Sequence, residues 1–95
     1  MKLFNDFDRR LEASLRGLKL DAPIIRVLPA DSAKYKCFAD IISETFEGMD
    51  EAERQAIAWG RILETLDDED QRRIEFMYTD APSERGVLSE TESSL

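Results

Sequence analysis

The sequence predicts a small α+β domain in which a three-stranded sheet carries its helices on one face. The predicted order is helix, strand, strand, helix, an optional short second helix, and strand. Three observations predict it. Apolar residues recur at helical spacing near the start and the middle of the chain, short β-branched and aromatic runs lie between breakers, and 95 residues suffice for one domain. Three strands packed against helices bury a continuous core, which a lone hairpin does not.

The first element is a helix whose apolar residues share one face. Asn5 or Asp6 is placed to cap its start, and Gly17 predicts its end. Charged residues fall mostly between the apolar positions, as they do on a helix with one solvated side. The predicted apolar face consists of Leu3, Phe4, Phe7, Leu11, Leu15 and Leu18.

Two strands follow this helix. The run from Ile24 to Leu28 lies between Pro23 and Pro29, which bound it as breakers. Residues 30–34 predict a loop, and the second strand is expected from Tyr35 to Ser43. Its cleaner apolar face is predicted to meet the core, and that face consists of Tyr35, Cys37, Ala39 and Ile41.

The next helix has the clearest start signal. Asp50 and Glu53 have the spacing of a capping box, and Met49 is placed to pack against the first turns. The helix is expected from Glu51 to Leu66, about 24 Å at 1.5 Å per residue. Gly60 inside it indicates either close packing of another element or a kink. The predicted core stripe consists of Ala52, Ala56, Trp59, Leu63 and Leu66, with Ile62 beside it.

The rest of the chain predicts an acidic turn, a strand and a tail. Asp67 to Asp70 is expected to form a solvated turn or a short extra helix, because it lacks the alternation and the glycine of a calcium loop. The third strand runs from Ile74 to Thr79, with Ile74, Phe76 and Tyr78 on one side, and Pro82 ends it. We therefore predict a single domain over residues 1–82 and a flexible Ser/Glu-rich tail over residues 83–95.

Composition argues against several classes of function. Thirteen Lys and Arg against twenty-one Asp and Glu give a formal net charge of −8, which repels phosphate backbones. The chain has no histidine and a single cysteine, Cys37, so it lacks the ligands of most zinc sites and any His-based catalysis. Cys37 is predicted to be buried and inert. We expect a non-enzymatic, cytoplasmic protein without signal peptide, membrane span, metal or cofactor.

A family motif lies in the second half of the chain. The strand end Ile41-Ile42-Ser43 is followed by Phe46 and Gly48, Arg54 comes after five further residues, and Trp59 stands where the family usually has tyrosine. This pattern resembles that of the BolA-like family. Together with the first helix and strand, and with residues 79–84 as a loosened form of the family's last turn, the resemblance covers roughly residues 3–84.

The resemblance implies a class II KH-like fold and a role as an adaptor or regulator in iron–sulfur or redox homeostasis, with a monothiol glutaredoxin as partner. Gln55 replaces the family's cluster-ligand histidine and residues 29–34 hold no second ligand, so the resemblance does not extend to cluster ligation. The family's interaction surface remains. Its equivalent exposed residues, which we predict to bind the partner, are Glu53, Arg54, Gln55 and Arg61.

Two other functions stay open. One is nucleic-acid binding and transcriptional regulation through the KH-like surface, although the four glycines do not form the Gly-x-x-Gly loop that clamps a backbone. The other is an unrelated acidic protein-interaction module, which would not have the KH-like sheet order.

Overall fold

A computed structural model describes residues 4–30 and 36–85 and shows an α+β fold. The predicted order of helix, two strands, two helices and strand is confirmed, with a 3-10 turn at Glu44–Phe46 and a last helical turn in addition. The elements are α1 (Phe4–Arg16), β1 (Ile24–Pro29), β2 (Cys37–Ile42), α2 (Glu51–Thr65), α3 (Asp68–Gln71), β3 (Ile74–Asp80) and α4 (Pro82–Arg85).

The described strands form one mixed sheet in the order β1-β2-β3. Strands β1 and β2 are antiparallel, whereas β2 and β3 are parallel. A parallel pair needs a crossover connection, and α2 with α3 supplies it. Asp40 at the centre of β2 is aligned with Arg26 on β1 and with Tyr78 on β3.

The core lies between one face of the sheet and the two long helices. Cys37, Ala39 and Ile41 of β2 are all buried, as the alternation of this strand predicts, while Tyr35 lies outside the described residues. They pack against Phe7, Leu11 and Leu15 of α1 and against Ala58 and Ile62 of α2.

Helix α1 confirms its predicted apolar face but not its predicted cap. Phe7, Leu11 and Leu15 are fully buried, whereas nothing is described for Leu3 or for the side chain of Phe4. The helix begins at Phe4, so Asn5 and Asp6 lie inside its first turn and cannot be its cap. It ends at Arg16, directly before Gly17 as predicted.

Helix α2 confirms its start signal and corrects its predicted core stripe. The Asp50 side chain accepts from the Glu53 N–H at 2.9 Å, and the Glu53 side chain accepts in return from the Asp50 N–H. The predicted stripe is wrong at Ala52, Ala56 and Leu63, which are exposed, but Leu66 is buried as predicted, and so is Ile62 beside the stripe. The buried face within the helix consists of Arg54, Ala58 and Ile62.

The error in the stripe is an offset of about one residue, or roughly 100° around the helix axis. It arises because Arg54 lies on the buried face, where an apolar pattern does not expect a charge. Gly60 is exposed and a Cβ there would contact nothing within 4 Å, so close packing does not explain this glycine.

Residues 67–70, expected to form either a solvated turn or a short helix, begin the short helix α3. Asp67 caps α3 by accepting from the Asp70 N–H at 2.9 Å. Asp70 is not solvated: it is buried and accepts two hydrogen bonds from Arg10, at 2.6 and 2.8 Å. The expectation of a fully solvated turn is therefore wrong at this residue.

Strand β3 is present, but a bulge changes which of its residues face the core. Cys37 is aligned with Ile74 and Ala39 with Met77, so β3 has one residue more than β2 in this interval. An extra residue reverses the alternation of the side chains. Ile74 and Met77 are both buried as a result, and Phe76 and Tyr78 point to the opposite face.

The described structure continues to Arg85, three residues past the predicted boundary at 82. Pro82 begins α4 rather than only ending β3, which suits its fixed φ at a first helical position. Residues 86–95 of the predicted tail, and residues 31–34 of the predicted loop, lie outside the described residues. Within residues 4–30 and 36–85, none of the helices has the length and apolar character needed to cross a membrane.

Candidate functional site

The four residues predicted to bind a partner all lie on α2, and three of them are engaged inside the domain. Glu53 is exposed, with its carboxylate in the capping box. Arg54 was expected on the surface but is buried, which corrects that expectation. Gln55 and Arg61 are half-buried.

Arg54 joins α2 to the end of β3 and to α4. Its Nε donates to the Met49 carbonyl at 3.0 Å, and its Nη1 donates to the Thr79 carbonyl at 3.1 Å. Nη1 and Nη2 also donate to the two carboxylate oxygens of Glu84, at 2.6 and 2.7 Å. The Arg54 guanidinium, together with the hydrogen bond from the Ala81 N–H, lowers the pKa of Glu84 to about 2.

Gln55 and Arg54 together cover the free edge of β3. The Ser43 N–H donates to the Asp80 carbonyl, so that carbonyl points toward β2. Carbonyl directions alternate along a strand, so those of Met77 and Thr79 point away from β2, to the free edge. Gln55 donates to the Met77 carbonyl at 2.9 Å, and Arg54 donates to that of Thr79.

A partner strand could pair with these two carbonyls only by displacing the side chains of Gln55 and Arg54. The Ala81 N–H, next along the same edge, donates to Glu84 at 2.9 Å. On the other side of the sheet, prolines stand at both ends of β1, at positions 23 and 29. Prolines and covering side chains are the usual means by which proteins protect edge strands.

Arg61 is used to hold α1 against α2. Its Nε donates to the Ser14 carbonyl at 2.8 Å, in the last turn of α1. The same carbonyl accepts from the Gly17 N–H at 3.1 Å, so Arg61 adds a second hydrogen bond there and complements the helix dipole. The Ser14 hydroxyl adds a hydrogen bond of 2.5 Å to the hydroxyl of Thr65 on α2.

The sheet surface opposite α1 and α2, called here the open face, presents a different set of side chains. Neither of the two long helices lies on it, and from α4 the Arg85 side chain crosses it to reach Asp40. At one end, the rings of Phe38, Phe76 and Tyr78 form an aromatic cluster. The ring centroids of Phe76 and Tyr78 are 4.6 Å apart, and those of Phe38 and Tyr78 are 5.7 Å apart. Both pairs meet edge to face. Phe76 is 41% exposed and Tyr78 44%, which is high for adjacent aromatic residues.

Beside the aromatic cluster lies an ionic cluster built around Asp40. Asp40 accepts from Arg26 at 2.7 Å and from Arg85 at 2.7 and 3.1 Å, and Arg85 also donates to Asp80 at 2.9 Å. The hydrogen bonds from Arg85 and then Arg26 lower the pKa of Asp40, against the opposing effect of burial. Asp40 is buried, so its carboxylate keeps both guanidinium groups in place on the sheet.

A shallow groove of about 420 Å³ joins the two clusters. Arg26 is exposed over 55% of its side chain, and only one of its guanidinium nitrogens has a hydrogen-bond partner among the described residues. The groove therefore offers apolar surface, ring edges and guanidinium donors together. Its lining residues are Arg26, Leu28, Phe38, Asp40, Tyr78, Asp80 and Arg85.

The described residues do not assemble a metal site. In residues 4–30 and 36–85, no three Cys, Asp or Glu side chains are placed to hold a metal ion. Cys37 is a free, buried thiol, as the sequence predicts, and burial raises its pKa to about 11. A thiol of this kind is neither a nucleophile nor a ready metal ligand near neutral pH.

Sequence reasoning missed the open face as a site. Phe38 and Asp40 were assigned to the side of β2 away from the core, but an Asp between aromatic residues gave no sign of two arginine partners. Phe76 and Tyr78 were placed on an apolar side of β3, and the bulge that turns them outward has no local signal. The combination of Phe38 on one strand with two aromatics on the next was the available clue.

Comparison with known proteins does not place the chain in a family, since no family model, curated protein or solved structure matches it.

Proposed function

We propose that this chain is a non-enzymatic adaptor that binds a protein partner through the open face. The observation that carries the proposal is the aromatic cluster beside the exposed Arg26, on the sheet surface opposite α1 and α2. Aromatic residues and arginine are the side chains enriched in the energetically dominant centres of protein interfaces. Exposed aromatics grouped on one face indicate a contact surface rather than random exposure.

The charge of the groove and the geometry of its aromatic rings favour a protein partner over a nucleic acid. The groove has two arginines and two aspartates on its walls, so it offers no excess of positive charge to phosphates, and the chain as a whole carries −8. Bases stack on exposed ring faces. Here Tyr78 meets both neighbouring rings edge to face, at 80° and 88°, so the cluster is packed against itself rather than laid out as a platform.

The resemblance to the BolA-like family makes a monothiol glutaredoxin the first partner to test. The contact surface differs from the one that the resemblance implies, because Arg54 and Gln55 are bonded to β3 and Arg61 to α1. A partner that bound there would have to displace these bonds. The open face offers contact without that cost.

The test is a calorimetric titration with a monothiol glutaredoxin, both apo and cluster-loaded, with visible absorption recorded alongside. We expect binding with an unchanged cluster spectrum. Replacing the two aromatics singly, Phe76→Ala and Tyr78→Ala, is expected to weaken it by at least about 1 kcal/mol each. Leu63→Ala is the matched control, because Leu63 is 63% exposed and lies on α2, away from the open face.

Three results would overturn parts of the proposal. If the glutaredoxin bound the wild type and both aromatic variants with equal affinity, the contact surface would not be the open face. A changed cluster spectrum would show that a residue of this chain reaches the iron. If the chain bound neither the apo nor the cluster-loaded glutaredoxin, a monothiol glutaredoxin would be ruled out as its partner.

A further inference from the structure

We propose that the chain's own segment 86–95 folds back over the open face and has to leave it before a partner binds. The segment and the partner would use the same surface, so this inference rests on the proposed function. Four observations carry it: the place where the segment begins, the exposed apolar side chains that the open face gathers, the composition of the segment, and its reach.

The segment begins at the open face itself. The Arg85 guanidinium donates to Asp40 at 2.7 and 3.1 Å and to Asp80 at 2.9 Å, so the next residue starts within one arginine side chain of the groove. Ile42, on the same side of β2 as Asp40, is only 5% exposed although it lies outside the hydrophobic core cluster. The protein's own chain therefore already covers the end of the open face where Ile42 is aligned with Asp80.

The open face gathers the large apolar side chains that the described residues leave exposed. Four such side chains are more than 40% exposed, and three of them, Ile24, Phe76 and Tyr78, lie on this face. The fourth, Leu63, stands alone on α2. Covering the open face therefore removes more apolar surface from water than covering any other described part of the domain.

The segment has the composition to cover this surface. An apolar pair, Val87 and Leu88, precedes two glutamates, Glu90 and Glu92, and the segment contains no Lys or Arg. The apolar pair suits the exposed rings. A glutamate suits Arg26, because only one nitrogen of this exposed guanidinium has a hydrogen-bond partner among the described residues.

The order of these residues along the segment matches the order of the strands. Tyr78 lies on β3, the strand that leads into α4, and Arg26 lies on β1, two strand spacings or about 10 Å across the sheet. The two to four residues from Leu88 to the glutamates span about 7–13 Å when extended. Leu88 can therefore meet the aromatic cluster while a glutamate meets Arg26.

Attachment to the same chain favours this occupant over a separate molecule. A segment tethered at the groove acts at an effective concentration on the order of millimolar, so a small contact area is enough to keep it in place. A partner then binds only the molecules in which the segment is displaced, and its apparent affinity falls by that fraction. The segment thus acts as an autoinhibitory cover.

Intramolecular photo-crosslinking of the purified full chain tests this inference without any partner. A photoreactive phenylalanine derivative at position 76 is irradiated at low protein concentration, and the crosslinks are mapped after digestion with trypsin. Trypsin cleaves after Arg85, and the segment contains no Lys or Arg, so the segment is released as one peptide. We expect position 76 to crosslink to this peptide within one chain. The same derivative at position 63 is expected not to do so.

Two substitutions probe the contact from its two sides. Leu88→Ser in the segment and Tyr78→Glu on the face are each expected to lower the ratio of covered to uncovered molecules, read from the crosslink yield, about tenfold. Leu63→Ser, the same chemical change at the exposed leucine on α2, is expected to leave the yield unchanged. Far-ultraviolet circular dichroism checks each protein, and Leu88→Ser keeps the test valid if Tyr78→Glu does not fold.

Three results would overturn the inference. The first is a set of crosslinks from position 76 that does not include the segment. The second is crosslinks between two chains in place of those within one chain, which would assign the face to a second copy. The third is equal yields in the wild type and Leu88→Ser.

Titration with the apo glutaredoxin separates this inference from the proposed function. Leu88→Ser is expected to bind the glutaredoxin more tightly than the wild type, by up to about tenfold, because the segment competes less. A segment crosslink without glutaredoxin binding removes only that partner. Aromatic-dependent binding that Leu88→Ser leaves unchanged, without a segment crosslink, removes only the cover.

Discussion

Replacing Arg54 by methionine separates a buried structural arginine from a surface contact residue. Methionine keeps most of the aliphatic stem while removing the guanidinium, so the packing of the stem is largely retained. In the wild type this group donates to the carbonyls of Met49 and Thr79 and to both oxygens of Glu84. The substitution is therefore expected to destabilise the fold rather than to affect a partner alone.

The magnitude follows from which groups can be hydrated after the change. Glu84 is 43% exposed and returns to water at little cost. The Thr79 carbonyl accepts its bond in a buried position, and leaving such an acceptor unsatisfied costs about 1–3 kcal/mol. With a smaller loss at Met49, the total is about 3 kcal/mol. For a domain of this length that lowers Tm by about 12–24 °C.

Urea and thermal unfolding followed by circular dichroism measure the effect. Arg16→Met is the matched control, because Arg16 is exposed and makes one surface pair with Glu12, worth less than about 0.5 kcal/mol. An Arg54→Met protein as stable as this control would refute the reasoning. It would place the guanidinium in solvent, where the family resemblance expects it.

Three further predictions follow from single sites. Gly60→Ala is expected to stabilise the protein by about 0.5–1 kcal/mol in urea unfolding, because the site is exposed and the added Cβ contacts nothing; a loss of stability would indicate strain that the structure does not contain. Cys37, with its burial and raised pKa, is expected to react with a thiol reagent only as fast as the domain opens, so labelling at the rate of a free thiol would contradict its burial. Arg85 and Arg26 lower the pKa of Asp40 in the folded state. The ionised Asp40 carboxylate therefore stabilises the fold at pH values above its ordinary pKa of 3.8, and this stabilisation is lost as the pH falls through the lowered pKa. Asp40→Asn should therefore lose less stability than the wild type between pH 6 and pH 3, and equal losses would be inconsistent with the ionic cluster.

The fold was predictable where local signals agree with burial. The alternation of β2 assigned Cys37, Ala39 and Ile41 to the core, and the capping box of Asp50 and Glu53 fixed the start of α2. In both cases the residues that decide the element are neighbours in sequence, so no tertiary information is required.

The sequence failed where a charged residue is buried by distant partners. Arg54 is buried on α2 because it is paired with the carboxylate of Glu84. Glu84 is thirty residues away in the chain, so the sequence around Arg54 gives no sign of this partner. Asp70 is buried because Arg10 lies on α1, sixty residues earlier. An apolar pattern counts each of these charges as solvated.

The candidate site was missed for a related reason. The bulge between Ile74 and Met77 is set by pairing with β2, and it alone brings Phe76 and Tyr78 to the open face. Asp40 becomes a fixed centre only when Arg85, forty-five residues away, folds back on it. The site is thus a product of strand register, which the sequence of one strand does not encode.

Site-specific photo-crosslinking tests the central claim, that the open face is the contact surface, most directly. A photoreactive phenylalanine derivative placed at position 76 is compared with the same group at position 63, in cells that express the full chain. The position-76 protein is also tested with Tyr78→Glu added, a substitution that disrupts the open face. We predict crosslinked products from position 76 that Tyr78→Glu abolishes, and none from position 63. Products from position 63 and none from position 76 would contradict the account.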